Sequence, residues 1–192
     1  ENFSTLRDIA KAKAEIIKNI QNGGKIILNK DEKFFNFLSN EAKKQNVEVI
    51  TFSSKKKADI YLLKTIKINN NFRLKIIVKK KIFYFNTKHS TNSFINNILA
   101  CISVLNVLNL NLNIMEKKFT SFSIPSGRGD IKLIKKFNKN FKFIDESYNA
   151  NPLSMLSAIE NMKYYRRKTN SKKLVLLGDM LELGKKSKRL HK

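Results

Sequence analysis

Tryptophan is missing from the 192 residues, proline occurs twice, glycine six times and cysteine once. The lone cysteine, Cys101, excludes an intrachain disulfide; lying in an apolar run, it reads as a small core residue. His89 and His191 have no second histidine or cysteine at ligand spacing, which argues against a zinc site. Acidic residues are also few, 15 against 39 Lys plus Arg, and the formal charge is +24. Of those 39, only 6 are Arg and 33 are Lys, alongside 24 Asn and 22 Ile. Lys, Asn and Ile have A- and T-rich codons, whereas Gly, Pro, Arg and Trp do not. Base composition therefore accounts for the charge without a polyanionic partner. Nucleic-acid readers favour Arg for bidentate contacts, so a basic nucleic-acid-binding module is the weaker reading. Lysine runs at 55–57, 79–81 and 135–136 support it, but no aromatic stacking motif accompanies them, and specific nucleic-acid binding is not expected.

No basic start followed by an apolar stretch and a small-residue cleavage site occurs, so a secretory leader is not expected and the cytoplasm is the expected location. Residues 90–115 carry no charge, yet seven Asn interrupt the window, each costly in hydrocarbon. A buried helix is expected there, with no membrane insertion. The 42% hydrophobic content is enough for one large or two small cored domains. The chain opens at Glu1 without Met and closes at Lys192 inside a helical pattern, so a piece of a longer chain is expected.

Leu6, Ile9, Ile16 and Ile20 recur at helical spacing, and Gly23-Gly24 ends the pattern. Lys25–Asn29 reads as a buried strand. Asp31 is placed as the N-cap of a helix through Phe34, Phe35, Leu38 and Ala42, and residues 47–52 as the next strand. This βαβ rhythm predicts a parallel sheet. Strands at 60–63, 74–78 and 82–85 follow without helices between them, which predicts an antiparallel extension. Asn92–Val107 is helical, and a shorter helix is expected over 114–119. Ser, Pro and Gly cluster near Thr120–Pro125, placing a boundary between residues 1–121 and 122–192. A second βαβ is expected beyond it: a strand at 141–145, Asn151-Pro152 as N-cap and first helical residue, a helix burying Met155, Leu156, Ile159 and Met162, and a strand at 174–177. The basic residues at 163, 166–168, 172 and 173 read as a solvated loop.

Lys13 falls in the middle of the apolar stripe 6, 9, 13, 16, 20. Either its stem snorkels, or its amine is desolvated, has a depressed pKa and can react, for instance with carbon dioxide to give a carbamate that can ligate a metal. Asp145 and Glu146 end a strand and precede a helix N-terminus by a few residues, the place where open α/β sheets bind ligands and anions meet free N–H groups. Gly178-Asp179 repeats the arrangement. Arg128, bracketed by Gly127 and Gly129, is placed to clamp a phosphate. Asn29-Lys30-Asp31 follows a strand in the same manner.

These residues resemble the Mur ligase family. The resemblance is carried by Ala10–Ile16, by Ile27–Asp31, by Gly127-Arg128-Gly129, by Asp145-Glu146-Ser147-Tyr148-Asn149-Ala150-Asn151-Pro152, and by Gly178-Asp179-Met180-Leu181-Glu182-Leu183-Gly184 with Ser187 and His191 beyond. It implies an α/β fold: part of a central, mainly parallel-sheet ATPase domain over 1–121, then the start of a Rossmann-like C-terminal domain over 122–192. It also implies an ATP-dependent ligase that adds D-alanyl-D-alanine to UDP-N-acetylmuramoyl-tripeptide, a monomer, with magnesium held by carbamylated Lys13. Asn29 and Asp31 would lie near the adenine, Arg128, Asp145 and Glu146 would reach ATP, and Asn149 and Asn151 would line the substrate cleft. Glu146 stands where the family more usually has Asp, and His89 lies out of register, so no role passes to it. The phosphate-binding Gly-x-x-Gly-Lys-[Ser/Thr] loop does not occur in the 192 residues. Without that loop the chain alone is expected to be inactive, and an inactive remnant is a further reading.

Overall fold

The computed structural model describes residues 5–116, 118–122, 124–162, 172–181, 183–184 and 187–191. The chain divides after Phe122 into two units.

The first unit begins with helix α1 (Leu6–Lys18), started by Thr5 in a reciprocal capping box with Asp8. Strand β1 (Lys25–Asn29), helix α2 (Phe35–Lys44) and strand β2 (Glu48–Ser53) form the expected βαβ unit, with β1 and β2 parallel. Strands β3 (Ile60–Ile68), β4 (Asn71–Val78) and β5 (Lys81–Thr87) complete a five-stranded sheet in the order β1-β2-β3-β4-β5. β3 runs parallel to β2, and the β3–β4 and β4–β5 pairs are antiparallel, so four of the five strands point the same way. Parallel neighbours normally need a long crossover. Here Ser54–Asp59 suffices, because β3 starts where β2 ends and only Phe52↔Ile60 and Ser53↔Tyr61 pair.

Period-two alternation sends the strands' apolar residues to opposite faces. Ile26 and Val49 pack with Ala14, Ile17 and Ala42 beneath α1 and α2, while Ile27, Ile50 and Phe52 pack with Ile95, Ile98, Leu99 and Ile102 of helix α3 (Asn92–Val107). The larger core continues through Leu74, Ile76, Val78 and Phe85, and the Phe85 ring meets Phe119 edge-on at 5.6 Å. Residues 112–115 and 118–120 form two short 3₁₀ turns where one helix is expected. The turns cover the free edge of β5, whose Asn86 N–H donates to the Glu116 carbonyl at 2.9 Å.

The second unit departs from the expected βαβ. Strand β6 (Asp130–Lys136) pairs antiparallel with β7 (Lys139–Asp145) in a hairpin, followed by helix α4 (Pro152–Asn161). Residues 174–177 are not a strand, and Leu174 and Leu176 are 80% and 85% exposed. Met155, Leu156, Ile159 and Met162 do not form a buried face either; no residue of α4 is buried. A two-stranded hairpin is too small to cover a helix face, which is the physical reason. A last helical turn, α5, spans Ser187–Leu190. Of the basic connection, residues 163–168 lie outside the described residues.

Candidate functional site

Two polar clusters contain Asn29 and Asp31, and Arg128, Asp145 and Glu146, of the residues singled out from the sequence; Lys13 lies in neither. The first lies in the first unit, at the carboxyl ends of β1 and β2. Asn29 Oδ1 accepts the Asp31 backbone N–H at 2.9 Å, turning the chain sharply after β1. The half-buried Asp31 carboxylate accepts from the Ser53 hydroxyl at 2.7 Å, the Ser54 N–H at 2.8 Å and the Ser54 hydroxyl at 3.2 Å. Burial alone would raise its pKa; the bonds from Ser53 and Ser54, aided by Lys55, outweigh burial and hold it below the usual carboxylate range. The buried Ser53 hydroxyl in turn accepts the N–H groups of Lys55 and Lys56 at 3.0 and 2.7 Å. Asp31 is therefore not the cap of α2, which begins four residues later with no side-chain cap. Its carboxylate ties two strand-end loops together. Ser53 and Ser54 were not singled out from the sequence; a serine pair directly after a strand facing an Asn-x-Asp turn was the available signal.

Lys13 is exposed. The buried face of α1 is Ala10, Ala14 and Ile17, whereas Leu6 and Ile16 on the Lys13 stripe are 59% and 64% exposed. Of the two readings that the spacing left open, exposure of the side chain fits an amine in water and not a desolvated one. Ala10-Ala14-Ile17 is itself a helical stripe, and Ala14 and Ile17 pack with Ala42 of α2. His89 sits edge-on to Phe94 at 5.0 Å, and burial and then Lys88 hold its pKa below the ordinary imidazole value.

The second cluster is in the second unit. The β6–β7 register sets Asp130 opposite Asp145, and the Gly129 N–H donates to the Asp145 carbonyl at 2.6 Å. Gly127 has φ +77° and is buried; a Cβ there would stand 3.0 Å from the Tyr148 backbone nitrogen, which itself donates to the Gly127 carbonyl. This close approach brings the Arg128 guanidinium 4.1 Å over the Tyr148 ring. Gly129, at φ +92°, leaves room for Glu146, whose Oε1 would be 3.0 Å from an added Cβ. The structure thus sets Arg128 against Tyr148, and the Asp145 backbone and Glu146 side chain against Gly129 beside it. Tyr148 and Ser147 lie inside the quoted motif but had been given no role. The Asp145 carboxylate is held low, chiefly by the side-chain and backbone bonds from Ser147. The neighbouring Glu146 carboxyl is pushed up by burial, then by Asp145 and Asp130.

Asn151 caps α4: its Oδ1 accepts the N–H groups of Leu153 and Ser154 at 3.1 and 3.0 Å, and its own N–H donates to Ser154 Oγ. Asn149 is exposed, its Oδ1 turned onto the Ala150 N–H. Further on, the Met180 N–H donates to His191 Nε2 at 2.8 Å, which leaves the Nδ1 proton to the Ser187 carbonyl at 2.9 Å.

The first unit, with polar turns at the carboxyl edge of parallel strands, defines an α/β domain of the class that binds ligands along that edge. The model of the Mur ligase middle domain matches residues 1–105, more than half of the chain. The chain belongs to the Mur ligase family. It is 30% identical over 194 residues to the UDP-N-acetylmuramoyl-tripeptide–D-alanyl-D-alanine ligase of Rickettsia prowazekii (strain Madrid E), covering 100% of this chain and 41% of that protein. It is 31% identical to the ligase of the same name from Buchnera aphidicola subsp. Baizongia pistaciae (strain Bp), covering 99% of this chain and 39% of the relative. The chain thus spans about two fifths of the length of these curated relatives. In fold it is similar to MurF from Acinetobacter baumannii, with a TM-score of 0.81 at 23% identity over 98% of this chain and 39% of that one. It is also similar to MurF ligase from Thermotoga maritima solved in complex with ADP, with a TM-score of 0.79 at 23% identity over 100% and 42%. No described helix is long and apolar enough to cross a membrane.

Proposed function

We propose that the chain is part of an ATP-dependent ligase that joins D-alanyl-D-alanine to UDP-N-acetylmuramoyl-tripeptide in peptidoglycan precursor synthesis. The observation that carries this reading is the Asp145–Pro152 segment folded around Gly127-Arg128-Gly129, with Arg128 stacked on Tyr148. In the whole enzyme the γ-phosphoryl group of ATP passes to the tripeptide's terminal carboxylate, giving an acyl phosphate and ADP. The D-alanyl-D-alanine amine then attacks the carbonyl, an amide bond forms and phosphate leaves. Arg128 neutralises phosphoryl charge, as such transfer requires, and its ring partner limits the rotamers it must give up. Asp145 and Glu146 stand side by side with their pKa values moved in opposite directions, Asp145 lowered by its bonds from Ser147 and Glu146 raised by burial and the neighbouring carboxylates. Asn29 and Asp31 shape the turn assigned to the adenine side, while Asn149 and the α4 N-terminus capped by Asn151 border the substrate cleft.

Magnesium is the metal such phosphoryl chemistry uses. Among the described residues no three His, Cys, Asp or Glu side chains come together to hold a metal ion, and Lys13 is exposed. The residues described do not fit a magnesium site, and carbamylation of Lys13 rests on the family resemblance alone. The reading also includes a monomer working in the cytoplasm.

The test is a chimera in which residues 1–192 replace the matching segment of the Rickettsia prowazekii ligase. Amide formation dependent on ATP and D-alanyl-D-alanine is expected, and Arg128→Ala should abolish it while leaving the fold intact. A folded chimera that does not ligate overturns the assignment.

A further inference from the structure

Lys79 and Lys80, from one of the lysine runs, line a pocket in the first unit. Val78 pairs with Lys81, so Lys79-Lys80 is the two-residue turn of the β4–β5 hairpin. The Lys79 N–H donates to the Asp59 carbonyl at 3.1 Å, which fastens this turn to the segment leaving Lys55-Lys56-Lys57. Between them lies an open surface pocket of about 560 Å³ lined by Ala58, Asp59, Tyr61, Ile77, Lys79 and Lys80.

Base composition does not choose between Lys and Asn at this turn, whereas backbone geometry does. Both lysines have positive φ, 46° and 69°, the type I′ geometry for which Asn-Gly is preferred and a lysine is strained. Asn shares the A- and T-rich codons of Lys and is abundant here, and it fills four other left-handed positions, 46, 69, 109 and 138. The β3–β4 turn is Asn69-Asn70 and the β6–β7 turn is Phe137-Asn138; Lys79-Lys80 is the hairpin turn among the described residues with neither Asn nor Gly. Backbone preference favours Asn at both positions, and two positively charged side chains stand there instead. Among the described residues neither ammonium has an ion-pair partner. The one carboxylate lining the pocket, Asp59, turns back to accept from the Thr51 N–H at 2.8 Å and the Thr51 hydroxyl at 2.6 Å.

We propose that this pocket is an anion site for a small ligand carrying two or more phosphate groups, held by Lys79 and Lys80. It stands apart from the ligase assignment and does not depend on it. The test is calorimetric titration of sodium tripolyphosphate into the 192-residue chain at low salt, where such attraction is least screened. A saturable one-to-one complex is expected, weakened about tenfold or more, or 1.4 kcal/mol or more, by Lys79→Asn/Lys80→Gly. That variant should melt at a higher temperature than the parent, because each replacement suits the turn, so unfolding cannot account for lost binding. Lys135→Asn/Lys136→Asn removes the same charge elsewhere and should leave the affinity nearly unchanged. The proposal is overturned by the absence of saturable binding, by equal weakening in both variants, or by a single-stranded oligonucleotide that binds and is not displaced by tripolyphosphate.

Discussion

Asp31→Ala tests how the strand-end loops of the first unit are held. The carboxylate accepts three hydrogen bonds, at 2.7, 2.8 and 3.2 Å. Bonds to a charged group contribute about 1.5–3 kcal/mol each when measured singly. They share one anion, and half-buried Ser54 can turn to water, so the sum does not apply. The Ser53 hydroxyl is fully buried; it keeps the two N–H groups donated to it but loses the acceptor for its own proton, a cost of about 1–3 kcal/mol. A total of about 2–4 kcal/mol is expected for Asp31→Ala, and about 1–2 kcal/mol for Asp31→Asn, which retains one acceptor oxygen. The pH dependence has a defined sign. The folded pKa is lowered, so the contribution is present above the unfolded value of about 3.9 and is lost as pH falls through the folded value. Urea unfolding followed by far-UV circular dichroism, at pH 7 and again at about pH 2, measures both. The reasoning is refuted if Asp31→Ala lies within about 0.5 kcal/mol of wild type at pH 7, or if the Asp31→Asn deficit does not shrink in acid.

Phe85→Ala should cost about 3–5 kcal/mol, because the ring is fully buried between β4, Phe83 and Phe119; the same urea assay reads it. Asn151→Ala should reduce α4 stability by about 1 kcal/mol, seen as faster amide exchange at Leu153 and Ser154, the two N–H groups it caps. Lys13→Ala should shift stability by no more than about 0.5 kcal/mol, since the side chain is exposed; a larger loss by calorimetry would mean the lysine is held by packing after all.

Local chemistry wrote several elements into the sequence. The strand Lys25–Asn29 and the helix Asn92–Val107 fall where periodicity places them, and Asn151-Pro152 starts α4 because cap and fixed φ act within one turn. The turn from Asp145 to Pro152 was legible for the same reason, since Ser147 bonds Asp145 and Asn151 caps its own helix, whereas the stacking of Arg128 on Tyr148 twenty residues away was not. Tertiary structure alone decided which of two interleaved stripes of α1 is buried, since spacing marks 6-9-13-16 and 10-14-17 equally and only the partner helix selects between them. It also decided that Asp31 bonds across 22 residues to Ser53 instead of capping the helix beside it, and that β7 pairs with β6 in a hairpin. Strand pairing and carboxylate partnership depend on which segments meet in space, and a one-dimensional pattern of apolar residues carries no record of that meeting.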